Sequence, residues 1–208
     1  MPYTDIDICS NALAILGTGP ISSFTDETSA HAAPMGIRYP MVRDAVMSGY
    51  PWKFTLKQAL LTRLIETPVT RYSTYHQMPS DMISGVVALY RTDNENEEPF
   101  TDFVIQGDRI LSNQTTLYAE YQQDIDEGDW PAYYTDFMAN VMAAEMAFSV
   151  TKQQGIAADV KHTTYGPKGR GTRAGLEGAT QNIDAKTSPA NNRLHRFSLI
   201  DARHSGAR

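Results

Sequence analysis

Apolar positions in this chain follow helical spacing near the start, break into short runs through the middle, and return as a long helical stripe around residue 140. The first helix is signalled by Thr4 or Asp5 as N-cap, by Asp5 and Asp7 near its positive end, and by Gly17 as a stop. Ile8, Ala12, Ile15 and Leu16, with Cys9 and Leu13, give it a broad apolar face. A turn-rich stretch over 17–29 follows. Met35, Tyr39, Val42, Val46 and Tyr50 then predict a second helix ending near Gly49. Pro34 suits a first turn, whereas Pro40 removes a ladder hydrogen bond and predicts a kink if the helix spans both prolines.

From Trp52 to Asp126 the period changes. The run 56–64 fits a short helix or a strand, while 82–90 and 103–105 are apolar runs suited to strands. Gly107-Asp108 marks a turn, and Ile110-Leu111 and 117–121 continue as strands, so one small antiparallel sheet is predicted. The acidic run 94–99 reads as a solvated loop, because like charges beside a proline repel and do not pack. Trp130-Pro131 opens a third helix carrying Tyr134, Phe137, Met138, Val141, Met142 and Met146 to about Gln154. Its alanines permit close helix approach, and its methionines read as adaptable core filler. A fourth helix starts near Ile156 and runs into glycines and Pro167, which interrupt it.

These elements predict an α+β fold, mainly α: a helical bundle with a small inserted antiparallel β-sheet and an extended C-terminal arm. The bundle takes 1–51 and 127–165, the β-rich insertion 52–126, and the glycine-rich basic arm 166–208. A chain of 208 residues, 41% hydrophobic, has material for one sizeable core, or a core and a small subdomain.

Charge separates the arm from the rest. Beyond residue 160, nine lysines and arginines face Glu177, Asp184 and Asp201, about +6, which leaves about −12 for the remainder of a chain with net charge −6. Glycines 166, 169, 171, 175 and 178 raise the entropy cost of ordering this region, so the arm is expected to order on a partner. Its basic charge also suits a phosphate backbone. Against nucleic-acid binding as the main role stand the few aromatics available for stacking, Tyr165 and Phe197, and the acidic body.

Candidate chemistry is sparse. There is no phosphate-binding glycine loop, no paired cysteines and no His-Glu-x-x-His pattern. His31, His76, His162, His195 and His204 are scattered and are expected at the surface, and no cofactor is expected. Cys9 lies on the apolar side of its helix and is expected to be buried and inert. Asp124, Asp126, Glu127 and Asp129 could divide acid and base roles, yet acids before a helix favour its positive end for structural reasons. A non-enzymatic protein is expected. The opening residues lack a secretory pattern and no apolar run spans a bilayer, so synthesis in the cytoplasm and no membrane association are expected.

Four stretches resemble the head-to-tail adaptor family of tailed bacteriophages, the tail tubular protein A type. The first is 7–17 with Pro20-Ile21 and Phe24. The second is Tyr39, Arg43-Asp44 and Pro51-Trp52-Lys53-Phe54. The third is Tyr75 with Met78-Pro79-Ser80-Asp81, and the fourth runs from Gly107-Asp108 through Leu117-Tyr118 and Tyr121 to Trp130-Pro131, Phe137 and Met146-Ala147. Physically these are fold determinants: Arg43-Asp44 can pair or cap, and Pro51-Trp52 ends a helix and supplies a large ring.

The resemblance implies a ring of the chain with itself, dodecameric in the family, docked beneath the portal protein of the capsid. It also implies a tail nozzle or other tail protein on the distal face, and double-stranded DNA passing through the lumen without sequence-specific binding. Its implied place is the head–tail interface of the virion, after assembly in the host cytoplasm. The family's C-terminal arm grips the portal, and its counterpart here is Arg193, Leu194, Arg196, Phe197, Leu199, Ile200 and Arg203, apolar side chains among arginines that can pair with carboxylates. The chain departs from the family after Val150, where glycines and Pro167 interrupt a helix that is usually longer. A head-completion or stopper protein below such an adaptor, and a DNA-binding accessory protein, are the alternative readings.

Overall fold

Residues 3–93, 98–167 and 174–187 are described by a computed structural model. The fold is α+β, with five α-helices and two small antiparallel sheets. Helix α1 (Asp5–Ile15) begins with a capping box: Thr4 Oγ1 accepts the Asp7 N–H, and Asp7 Oδ2 accepts the Thr4 N–H at 2.9 Å. At its other end Gly17 takes φ +76°, and the Thr18 N–H returns to the Leu13 carbonyl at 3.0 Å. Ile8, Cys9, Ala12 and Leu13 are buried as the periodicity predicts, but Ile15 is 45% exposed.

Helix α2 (Ala32–Ser48) contains both prolines and runs through Pro40 without interruption. Its buried stripe is Met35, Tyr39, Val42 and Met47. Gly36 lies against Phe24, where a Cβ would come within 2.9 Å of the Phe24 Cβ, so the loop before α2 packs down only on a residue with no side chain. Carbonyls at and just past the end of α2, where intrahelical partners run out, are taken by side chains. The Trp52 indole donates to the Val46 carbonyl at 3.1 Å, and Gln122 Nε2 donates to those of Met47 and Tyr50 at 3.1 and 2.8 Å.

Helix α3 (Ala132–Thr151) is the hub, in contact with α1, α2, α4 (Gln154–Tyr165) and α5 (Leu176–Thr187). Alanines 139, 143, 144 and 147 are buried, and the buried methionines 138, 142 and 146 fill the space between its neighbours. Beside them Trp52 sits with ring centroids 4.8 Å from Tyr50 and Tyr134 and 5.9 Å from Phe137, while Trp130 meets Tyr134 edge-on at 4.9 Å.

Between α2 and α3 the chain forms strands β1 (Leu56–Leu60), β2 (Thr62–Arg63), β3 (Thr74–Gln77), β4 (Met82–Tyr90), β5 (Phe103–Gln106), β6 (Arg109–Ser112) and β7 (Tyr118–Gln123). The ambiguous run 56–64 is extended. Instead of the one sheet expected, there are two, ordered β1-β7-β4 and β2-β3-β6-β5. The change happens at Leu61: it is buried and bonds the Leu117 carbonyl at 2.8 Å, and the chain leaves one sheet before it and joins the other after it. Gly107 turns the β5–β6 hairpin with φ +62°, directly between the paired Gln106 and Arg109, as a two-residue turn with glycine first requires. Leu61, Leu89, Phe100, Ile110, Leu117, Ala119 and Tyr121 make a second core, separate from that of the helices.

The stretch read as a glycine-rich arm contains α5. This helix contacts α3, α4 and the short 3₁₀ turn Lys53–Thr55. Two of the glycines answer a geometric need rather than supplying looseness. Gly166, with φ +81°, ends α4, and Gly175, with φ +85°, precedes α5; a Cβ on Gly175 would fall 2.6 Å from the Gly166 nitrogen and 2.8 Å from the Thr163 carbonyl oxygen.

Candidate functional site

The motif residues quoted from the second and fourth stretches come together in space. Arg43, on α2, reaches across to the connection between β7 and α3. Its Nη2 donates to Asp124 Oδ1 at 2.6 Å and to the Ile125 carbonyl at 3.1 Å, and its Nε forms an ion pair with Glu127 Oε1 at 3.0 Å that lacks hydrogen-bond geometry. The guanidinium also stands 5.8 Å from the centroid of the Trp130 ring. Asp44 is the weaker partner, at 3.2 Å and largely exposed. Pairing within Arg43-Asp44 is therefore real but secondary; the main ties bridge more than eighty residues of chain.

That arrangement accounts for half of the acidic cluster. Asp124 and Glu127 hold Arg43, and Glu127 also accepts the Tyr39 hydroxyl at 3.1 Å. Burial first, and the Glu127 carboxylate second, push the Tyr39 phenol far above its ordinary value, so it stays a donor. Pro51 is exposed at the exit of α2, Trp52 is buried behind it, and Gly107 lies at the tip of the β5–β6 hairpin.

Cys9 is fully buried, and burial pushes its thiol up to about 12, so it packs as a small hydrophobe. The surface placement expected of the histidines fails at His76, which is fully buried on β3. There its Nε2 lies 3.0 Å from the Gln114 carbonyl and 3.4 Å from Thr74 Oγ1, and burial holds its pKa below the usual value. The sequence hid this because Thr-Tyr-His-Gln alternates like a strand with one polar face, and the face that turns inward is Thr74 and His76. Among the described residues, no three His, Cys, Asp or Glu side chains approach closely enough to hold a metal ion, and no helix is long and apolar enough to cross a membrane.

Other residues that position the helices gave no sequence signal. Asp184 of α5 is fully buried; its Oδ2 accepts the Lys53 N–H and its Oδ1 the Tyr133 hydroxyl, both at 2.8 Å. Arg38 of α2 donates to Glu145 of α3 at 2.7 Å. Single charged residues in otherwise polar helical turns look alike in sequence whether they face water or a neighbouring element.

Two surface grooves flank α3. One, of about 830 Å³, is bounded by Phe148, Ala157, Ala158, Lys161, His162 and Tyr165 and ends at Pro167. The other, of about 490 Å³, lies between α1 and α3 along Tyr3, Ala14, Ile15, Ala132, Asp136 and Ala139. The arm residues Arg193, Leu194, Arg196, Phe197, Leu199, Ile200 and Arg203 lie outside the described residues, as do residues 94–97 of the acidic loop. No protein-family model matches the chain, and no curated protein matches it significantly.

Proposed function

We propose that this chain is a structural virion protein, a head-to-tail adaptor of a tailed bacteriophage. It would form a ring, dodecameric in the form the resemblance implies, that docks on the portal and offers a platform to the tail. The observation that supports this most is convergence: Arg43, Trp52, Trp130 and Phe137, taken from separate stretches of the resemblance, fall in and beside one aromatic cluster at the junction of α2, α3 and the β insertion. Residues that matter jointly to a fold are expected to meet in this way. In this reading the five helices form the wall of the ring, the insertion with its own core faces the tail, and residues 188–208 engage the portal.

The mechanism is assembly-coupled ordering. The arm buries its apolar side chains and pairs its arginines only when portal subunits supply the complementary surface, so ring formation depends on the portal. The acidic body disfavours adhesion of the DNA that passes through the lumen.

The test is the mass of complexes formed by the protein alone and with its cognate portal. Rings on the portal are expected. Deleting 188–208 should leave the body folded and abolish docking; a truncated protein that docks with unchanged affinity would remove the arm's role. Failure to bind an intact bare portal, with binding to a portal already carrying another ring, would favour the stopper alternative.

A further inference from the structure

Helix α2 is apolar on both sides. Its inner stripe meets the core, while its outer surface carries Ala33, Pro34, Ile37, Met41 and Ala45 exposed to solvent, with Ile37 at 74% and Met41 at 62% exposure. A helix that needs only one buried face has no use for the second. The groove between α1 and α3 has the inverse form: alanines 14, 132 and 139 leave a hollow between the exposed side chains of Tyr3 and Ile15.

Around α3 these two surfaces lie far apart. Glu145, which takes Arg38 of α2, is turned by about 120° from Ala139, about 140° from Ala132 and about 180° from Asp136 at 3.6 residues per turn. Charge complements the shape. Asp136 is exposed at the groove and has no ion pair among the described residues, while Arg38, beside Ile37, is half exposed and spends a single N–H on Glu145.

We infer that the outer face of α2 docks into the α1–α3 groove of a second copy of this chain, with Ile37 and Met41 as knobs and Arg38 paired to the neighbour's Asp136. Because two different surfaces meet, the contact is heterologous, and a pair of subunits keeps one free knob at one end and one free groove at the other. Such contacts propagate head to tail, and they close into a ring where the rotation from one subunit to the next is a whole fraction of a turn. The inference rests on the ring reading above and supplies its subunit interface.

The test uses three full-length proteins followed by sedimentation and native mass spectrometry, first without portal at concentrations high enough for the pairwise contact to show, and then with portal, on which the rings complete. The knob-blocked variant is Ile37→Glu/Met41→Lys and the groove-blocked variant is Ala14→Arg, all at exposed positions. Each variant alone is expected to associate at least about tenfold more weakly than the wild type, with its melting temperature unchanged. Mixed in equal amounts they should form one-to-one dimers and nothing larger, since one intact knob meets one intact groove. With Cys9 buried and out of reach, a Met41→Cys/Ala14→Cys chain should give a ladder of disulfide-linked multimers on oxidation, and a chain carrying either substitution alone should give no ladder. Rings that persist in the blocked variants, or a doubly substituted chain that links no better than the singly substituted ones, overturn the interface and leave the ring reading standing. Wild type that forms no ring alone or with portal overturns the ring reading itself.

Discussion

The Tyr133 hydroxyl of α3 donates to Asp184 of α5 at 2.8 Å, and the other oxygen of that buried carboxylate takes the Lys53 N–H. No cation accompanies it in either contact. The rest of the buried set on α5 is Gly178, Thr180 and Gln181, whose hydrogen bonds stay within the helix, so among the described residues Asp184 carries the side-chain hydrogen bonds from α5 to its neighbours. Asp184→Ala should therefore cost about 1.5–3 kcal/mol, the usual range for hydrogen bonds to a charged group, and act locally. Hydrogen exchange should speed up over 176–187 and leave α3 protected; unchanged exchange in α5 would show that Asp184 does not hold it.

Arg43 ties α2 to the β7–α3 connection through several groups at once. Arg43→Ala should destabilise by about 2–3 kcal/mol, below the range for fully buried pairs because Asp124 is half exposed. Arg43→Lys should recover less than half of that loss, since an ammonium cannot reach Asp124, Glu127 and the Ile125 carbonyl together. Denaturant unfolding of the two variants decides this, and full rescue by lysine would mean that charge alone suffices.

His76 should make stability depend on pH. Burial, and more weakly the charge of Arg63, lower its folded-state pKa, while the Gln114 carbonyl opposes this. The unfolded chain thus binds the proton more readily. The contribution is complete above about pH 6.5 and is lost as the pH falls from there toward the folded-state value, by at most about 1.4 kcal/mol per pH unit. His76→Gln should flatten unfolding free energy between pH 7 and 5 relative to the wild type; parallel curves would place His76 outside this linkage.

Gly36→Ala should destabilise although alanine is the better helix former by about 1 kcal/mol. The new Cβ meets Phe24 near its backbone, where little can give. A net loss of about 1–3 kcal/mol is expected from the overlap, and Gly36→Ala combined with Phe24→Ala should lose less than the sum of the two single changes. Simple additivity would show that the two residues do not press on one another.

The sequence disclosed those elements whose local pattern and tertiary role agree. Helix α3 is apolar at helical spacing because it is surrounded, and β4 to β7 are bounded by their own turns, so their limits were within a residue or two of those observed. The split at Leu61 was hidden because its leucine continues an extended run, and only pairing partners more than ten residues away reveal the change of sheet. Helix α5 was hidden for a different reason. Its mean character is polar and its neighbours are glycines, the composition of a loose segment, while the residue that docks it is one aspartate among several. Arg43 was visible as a motif, but its sequence neighbour Asp44 drew attention from Asp124 and Glu127, which hold it.

The way the β insertion joins the helices has a mechanical result. Gln122, on β7, donates to the Met47 and Tyr50 carbonyls at the end of α2 and to the Thr55 hydroxyl just before β1, and Arg43 grips Asp124 and Ile125 just beyond β7, so the exit of the insertion is tied to α2. Leu61 and Leu117, bonded to each other, lie where the two connecting segments of the chain pass between its sheets. A load applied at the β5–β6 hairpin would thus reach the helices through these few contacts. Pulled from that hairpin, the molecule should behave as a stiff lever, bearing tension until its two cores yield.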